Sequence, residues 1–358
     1  MSKYPLISVI MATYNHEAFV SVAIDSVLNQ KNVNFEFLIS DDGSNDNTAN
    51  VVRKYNDSRI KFFENKINRG ACTVTNELIQ KASGKYIALM NSDDIWNADN
   101  KLEIQIKYML ENPKIGACFG KVAFINKDGS VINKSTLSFG SIFEQDNRSQ
   151  GRWLRRFFEH GNCLCHPTIL IKKECYTKLG MYNNRFRQLP DLDMWVRLVK
   201  HYPIHIIDKE FILFRITPGE NTSSQTVPNS IRTMNEHYLI GMNFFDDVSF
   251  KIFLEGFSDL MRIKDKRTKK YLDIEKVLIY FHLSNELGKA YNLIGLYKLK
   301  LLLGNESYNN ILNKIYKIDD TWFQKRMADV DTLRPKMTAI MQQHKSTIRK
   351  ILNKLKIR

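Results

Sequence analysis

Lys85-Tyr86-Ile87-Ala88-Leu89-Met90 runs directly into Asn91-Ser92-Asp93-Asp94. The first six residues form an apolar run of strand length, opened by the turn signal Ser83-Gly84. The acids therefore stand where a buried strand emerges into solvent, the edge at which open α/β sheets bind ligands. Adjacent carboxylates repel unless something cationic holds them, and hard divalent cations prefer carboxylate oxygens. The same residues also suit a capped loop, with Asp94 or Asp99 opening a helix over 101–110. The flanking segments decide between the two.

Upstream, strands and helices alternate. Leu6 to Ala12 reads as a buried strand ending at Thr13-Tyr14-Asn15, and Phe19, Val20, Ala23, Ile24, Val27 and Leu28 recur at helical spacing. Phe35 to Ser40 is a second strand, running into Asp41-Asp42-Gly43-Ser44. Asp46-Asn47-Thr48 offers caps for a helix bearing Val51, Val52 and Tyr55. A short strand over 60–63 leads through Asn68-Arg69-Gly70 to a helix over 71–82. This alternation predicts an α/β fold with a mostly parallel, Rossmann-like sheet flanked by helices. The polar ends of the first, second and fourth strands would meet at one edge. No glycine fingerprint of a dinucleotide fold and no P-loop lysine follows these strands. Such loops can instead hydrogen-bond a base and a ribose, while a metal at the acidic loop handles a diphosphate. For Asp41 to Ser44 the plain alternative is a type I turn with Asx bonding.

Ser8-Val9-Ile10-Met11-Ala12-Thr13-Tyr14-Asn15, Asp41-Asp42-Gly43-Ser44, Asn68-Arg69-Gly70 and Asn91-Ser92-Asp93-Asp94 resemble, in order and spacing, the successive motifs of the family 2 glycosyltransferases. The resemblance runs from residue 8 to about residue 220. It implies the GT-A fold and inverting transfer from a nucleotide-diphosphate sugar, with UDP the first nucleotide to try. It further implies a nucleotide site built from Thr13, Tyr14, Asn15, Glu17, Asp41, Asp42, Asn68, Gly70, Asn91 and Ser92, with Asp42 reading the base. Asp93 matches the metal-binding acid, for Mn²⁺ or Mg²⁺. Two positions depart from the family. Asn91 replaces the usual first acid, and Thr217 in Phe214-Arg215-Ile216-Thr217 stands where many members have histidine. Asparagine can still accept a hydrogen bond from a sugar or ribose hydroxyl.

Downstream, 115–125 reads as a strand, with Lys127-Asp128-Gly129-Ser130 as a hairpin turn before Val131-Ile132. The polar stretch 139–151 suits a mobile acceptor loop, and Arg152 to Phe158 a basic amphipathic helix near the acceptor. His166 to Ile171 reads as a strand, with His166 either a ligand or donor or a structural histidine. Pro190-Asp191-Leu192-Asp193-Met194-Trp195 opens a helix with two acids in its first turn. Dipole complementation there is worth under about 1 kcal/mol and accounts for one acid better than two. The resemblance implies that Asp191 deprotonates the acceptor hydroxyl, although Pro190 replaces its usual glutamate neighbour. Asp193 then orients the loop or binds acceptor, Arg197 pairs with either acid, and Asp94 and Arg215 contact acceptor or diphosphate. Arg215 is equally a surface cation, and short strands over 204–207 and 211–215 close the domain.

The remaining features bound the class. The chain has 358 residues, 43% hydrophobic and 25% charged, and a formal charge of +15. A pI near 9.4 draws it towards phosphates or anionic lipid. Five cysteines without framework spacing point to a reducing compartment, and Cys163-Leu164-Cys165-His166 lacks the second pair of a zinc site. The apolar run over 6–12 is too short for a secretory leader, and no charge-free stretch of spanning length follows. A catalytic domain over 1–225 and a helical annex over 226–358 are expected, the annex with helices over 231–245, 250–261, 274–303 and 311–316. In the tail, Ile348, Ile351, Leu352 and Leu355 share one face among Lys345, Arg349, Lys350, Lys354, Lys356 and Arg358. This basic amphipathic helix either lies on an anionic membrane or packs on the annex or a second copy. No nucleic-acid motif is present. The expectation is a cytoplasmic enzyme, peripheral to the inner membrane face, acting on a glycan or lipid-linked acceptor in bacterial surface polysaccharide or lipooligosaccharide synthesis. Its rival is a non-catalytic nucleotide-sugar-binding or scaffold protein.

Overall fold

The computed structural model describes residues 5–217, 226–283 and 285–330. In its first half β1 (Ile7–Thr13), α1 (Val20–Leu28), β2 (Phe35–Asp41), α2 (Thr48–Arg53), β3 (Ile60–Glu64), α3 (Ala71–Lys81) and β4 (Tyr86–Leu89) alternate as expected. Then follow β5 (Ile95–Trp96), α4 (Lys101–Glu111), β6 (Ala117–Ile125), β7 (Val131–Ile132), α5 (Gln150–His160), β8 (Leu170–Lys172), α6 (Lys173–Leu179), α7 (Pro190–His201) and β9 (Ile204–Arg215). One sheet holds them in the order β3-β2-β1-β4-β8-β6-β9-β5, with β7 paired to β6. The β3-β2-β1-β4 half is parallel, which a βαβ alternation enforces. Beyond it β8 runs antiparallel to both β4 and β6, β6 and β9 are parallel, and β5 is antiparallel to β9. The sheet is therefore mixed. β2 is buried at every position, as a central strand covered on both faces should be.

Three local expectations change. His166–Thr168 is a 3₁₀ turn and not the start of a strand, because Pro167 has no N–H for a ladder. The two strands expected over 204–215 are one, with a register irregularity opposite Phe119 to Val122. Gly120 makes that irregularity packable, since a Cβ there would lie 2.2 Å from the Phe211 ring. The stretch 139–151 is tied down: Phe139 and Phe143 pack on Phe124, and Asn147 exchanges two hydrogen bonds with the Ile206 backbone. α5 is the expected amphipathic helix, its apolar face interior, with Trp153, Leu154, Phe157 and Phe158 fully buried.

Helices α8 (Val227–Met242) and α9 (Phe250–Phe257) complete a first compact unit that ends at Met261. The close approach of Gly151 and Gly256 lets α9 lie against α5. The change of pattern at 225/226 marks where strands give way to helices, whereas compactness divides the chain at Met261/Arg262. In the second unit α10 (Lys269–Ile279), α11 (Glu286–Leu303), α12 (Glu306–Ile311) and α13 (Asp320–Asp329) surround Ile274, Leu278, Leu299, Leu312 and Ile318. Its buried Glu275 accepts the N–H groups of Arg262 and Ile263 and the Tyr316 hydroxyl. The helix expected over 274–303 breaks after Ile279, and the tail 344–358 lies outside the described residues. Among the described residues, no helix is long and apolar enough to cross a membrane.

Candidate functional site

Three loops meet at the carboxyl edge of the parallel half. After β1, Asn15 takes a left-handed conformation (φ 53°). Its N–H donates to Ser44 Oγ and its Oδ1 accepts from the Asn45 N–H. Glu17 accepts the Asn47 N–H, and its own N–H reaches Asp46. Asn15 and Glu17 thus stitch the first loop to the second. Thr13 ends β1 with a buried hydroxyl that finds no hydrogen-bond partner among the described residues. A buried hydroxyl without a partner costs about 1–3 kcal/mol unless a ligand or water meets it. Tyr14 is exposed beside it.

After β2 the two acids differ. Asp41 accepts the Ser44 N–H (2.9 Å) and hydroxyl (2.5 Å), the Asx bonding a turn predicts. Asp42 accepts from Asn65 Nδ2 and from the N–H groups of Arg69 and Gly70, at 2.8–3.1 Å. These contacts fill both carboxylate oxygens and cap the positive end of α3. Asp42 therefore anchors the 68–70 loop. Gly70 supplies one of its donors, while Asn68 is exposed next to Gly43.

After β4 the acidic loop is clamped. Asn91 Nδ2 donates to Asp94 Oδ2 at 2.9 Å, and the Arg215 N–H to Asp94 Oδ1 at 2.8 Å. Burial, and then the charge of Asp93, hold the Asp94 carboxyl well above the usual carboxylate range. Arg215 is no surface cation: it is 4% exposed and lies over the Phe19 ring. Its guanidinium donates to the carbonyls of Asp93, Asn126 and Lys127. Ser92 Oγ bonds His16 Nδ1 at 2.7 Å, tying this loop to the first. Asp93 stands half-buried at the centre.

Asp191 occupies the second position of α7, after Pro190, whose missing N–H suits the first turn. Asn162 Nδ2 donates to its Oδ2 at 2.6 Å, and the Leu192 N–H to its Oδ1 at 2.8 Å. Burial pushes its carboxyl up to about 6. The buried Cys165 thiol is raised by burial and by the charges of both Asp94 and Asp191. Cys72, near the start of α3, is pushed up to about 11 by burial, then by Asp191 and Glu236. The acidic loop, the α3 start and the α7 start thus share one electrostatic neighbourhood.

Other expected contacts are spoken for elsewhere. Asp193 pairs with Arg197 at 2.7 Å, and Arg197 also donates to the carbonyls of Leu179, Gly180 and Met181. This pair locks α7 to the end of α6, favouring the loop-orienting reading of Asp193. His166 bonds the Tyr182 hydroxyl at 2.9 Å, and burial lowers its imidazole to about 4. Both features fit the reading of a structural histidine. Asn162 was missed from sequence; its one signal is the Gly161-Asn162 pair after a helix. Glu236, on α8, had none.

Comparison with known proteins identifies the family. A model described as "Glycosyl transferase family 2" matches residues 8–175, ending before Asp191. The Escherichia coli UDP-Glc:alpha-D-GlcNAc-diphosphoundecaprenol beta-1,3-glucosyltransferase WfgD is 45% identical over 219 residues, covering 61% of this chain and 79% of its own. The Bacillus subtilis putative teichuronic acid biosynthesis glycosyltransferase TuaG is 32% identical over 201 residues, covering 55% and 73%. Among solved structures, S. aureus TarS 1-349 in complex with UDP-GlcNAc aligns with a TM-score of 0.56 at 17% identity, over 93% of this chain and 94% of that one. At that identity the likeness concerns the fold.

Proposed function

The chain belongs to glycosyl transferase family 2, and from that premise we propose that it is an inverting enzyme moving a sugar from a UDP-sugar to a hydroxyl of a lipid-linked glycan. Its fold is of the GT-A type. The similarity to WfgD supports UDP-glucose as the first donor to test and an undecaprenyl-diphosphate-linked saccharide as the first acceptor. The observation that carries the mechanism is Asp191, a half-buried carboxylate aimed by Asn162 and pushed up to about 6. In single displacement the acceptor oxygen attacks the anomeric carbon opposite the diphosphate. The bond to the diphosphate oxygen breaks, and Asp191 takes the hydroxyl proton. With its carboxyl near 6, Asp191 is ionised at neutral pH yet more basic than an exposed carboxylate.

The Thr13 hydroxyl and the carboxylates of Asp41 and Asp42 supply polar groups for the nucleoside. Asp93 and Asn91 would supply oxygens for a divalent ion, while Asp94 is engaged by Arg215. Such ions accept one or two protein carboxylates completed by substrate phosphates, so this donor set fits. When bound, the ion would neutralise charge growing on the departing diphosphate. The basic second unit supports a position on the inner face of the cytoplasmic membrane, where such an acceptor would be met.

Calorimetric titration of UDP, GDP, dTDP and CDP, each with Mn²⁺ and with chelator, tests the reading. Tight binding of UDP that is lost on chelation is expected. Binding indifferent to chelation would remove the metal from the mechanism, and no nucleotide binding would overturn the proposal. Transfer from UDP-glucose to a GlcNAc-diphosphoundecaprenol analogue, lost in Asp191→Asn with UDP affinity unchanged, tests the base. A protein that binds UDP but never turns over any donor and acceptor pair would be the non-catalytic rival.

A further inference from the structure

Helix α8 reaches the base from outside the family-matched residues. Its Glu236 is 3% exposed. One carboxylate oxygen accepts the Arg187 N–H at 2.9 Å; the other accepts those of Gln188 at 2.9 Å and Leu189 at 2.7 Å. These three consecutive donors lead into Pro190, the first residue of α7, and Asp191 follows at once. Consecutive N–H groups of this kind make an anion-binding concavity, filled here by the protein's own carboxylate. The next residue of α8, His237, packs on Gly161: a Cβ there would lie 2.8 Å from its Cε1. Gly161 has φ 72° and immediately precedes Asn162, the donor to Asp191. Two adjacent residues of one helix therefore brace both supports of one carboxylate.

We propose that Glu236 is a positioning residue for the base: it fixes the turn that places Asp191, and its charge faces Asp191 across that turn. The inference rests on the proposed transfer reaction. The ionisable groups that act on Asp191 or are raised by its charge are Cys72 of α3, Cys165 after Asn162, Tyr182 before α7, and Glu236. The two thiols and the phenol are held neutral by burial near neutral pH. Glu236 is the acid among them.

The test is Glu236→Gln in the full chain. One of its two oxygens becomes an amide that cannot accept an N–H. UDP affinity should stay within about twofold, while kcat for transfer falls by about tenfold or more, the scale of a small misplacement. The acid limb of the pH profile should move to lower pH, because a negative charge facing Asp191 is gone. Glu236→Asp, which keeps the charge, should return the limb to its original pH and restore part of the rate. Wild-type kcat and an unmoved limb in Glu236→Gln would overturn the proposal. Should that variant not fold, hydrogen exchange on the wild type decides: slow amides at residues 187–189 support it, and open-loop exchange there sinks it. Failure of the base reading shows differently, as transfer retained by Asp191→Asn, and it takes this proposal with it.

Discussion

Asp191 stores a conflict that can be measured as stability. Its carboxyl titrates near 6 in the folded chain against an ordinary value of 3.8, because burial penalises the charge. The protonated form favours folding, so that contribution is present below about pH 4 and lost as pH rises through about 6. Asp191→Asn should therefore melt higher than wild type at pH 8, by as much as about 3 kcal/mol, with little difference near pH 4. Equal differences at both pH values would contradict the assignment. In the wild type, transfer should fall as pH drops through about 6, where the base gains its proton. Arg215 makes a second test. Its planar fork serves three carbonyls and stacks on Phe19, which a lysine cannot reproduce. Arg215→Lys should lose about 1–3 kcal/mol in urea unfolding and weaken UDP binding through the Asp93 loop; unchanged unfolding would show the clamp to be idle. Sequence reading singled out Asp191 and Asp93 because both sit in local patterns, a helix start and a strand end. It could not find Glu236 or separate Asp41 from Asp42, since hydrogen-bond partners 47 to 49 or 23 to 28 positions away leave no local trace.

At the scale of elements, the N-terminal half was legible because buried parallel strands are short, apolar and followed by periodic helices. Strand direction was not. β8 and β5 are three and two residues long, too short for any periodicity, and β5 lies between the acidic loop and α4. The cations of α5 drew attention to its polar side, whereas its four large apolar residues decide its place inside the first unit. Gly161 ends that helix, and its position is both left-handed and walled by His237. Gly161→Ala should cost more than about 1 kcal/mol, from backbone strain and the contact together. Because Asn162 moves with it, transfer should suffer more than UDP binding. Equal loss of both would mean that the turn serves stability alone.

Charge separates the two units of the molecule. Residues 1–261 hold 31 Lys and Arg against 29 Asp and Glu, while residues 262–358 hold 22 against 9. Nearly all of the net +15 therefore belongs to the second unit. Its α11 also exposes Leu293, Tyr297 and Leu301 at helical spacing beside the basic Lys300. The full chain should float with vesicles containing anionic phosphatidylglycerol, be released by salt, and float less when residues 344–358 are removed. Flotation on neutral phosphatidylcholine alone, or undiminished by the deletion, would refute that role for the tail. The clamp on the acidic loop has a consequence in time. Asp94 receives its backbone donor from Arg215, 121 residues later, and β5 pairs with β9. During synthesis β1 to β4 can zip together as they emerge, while the acidic loop waits for the last strand. A nascent or refolding chain should thus regain its secondary structure first and its grip on UDP late, so it remains enzymatically silent until the first unit is finished.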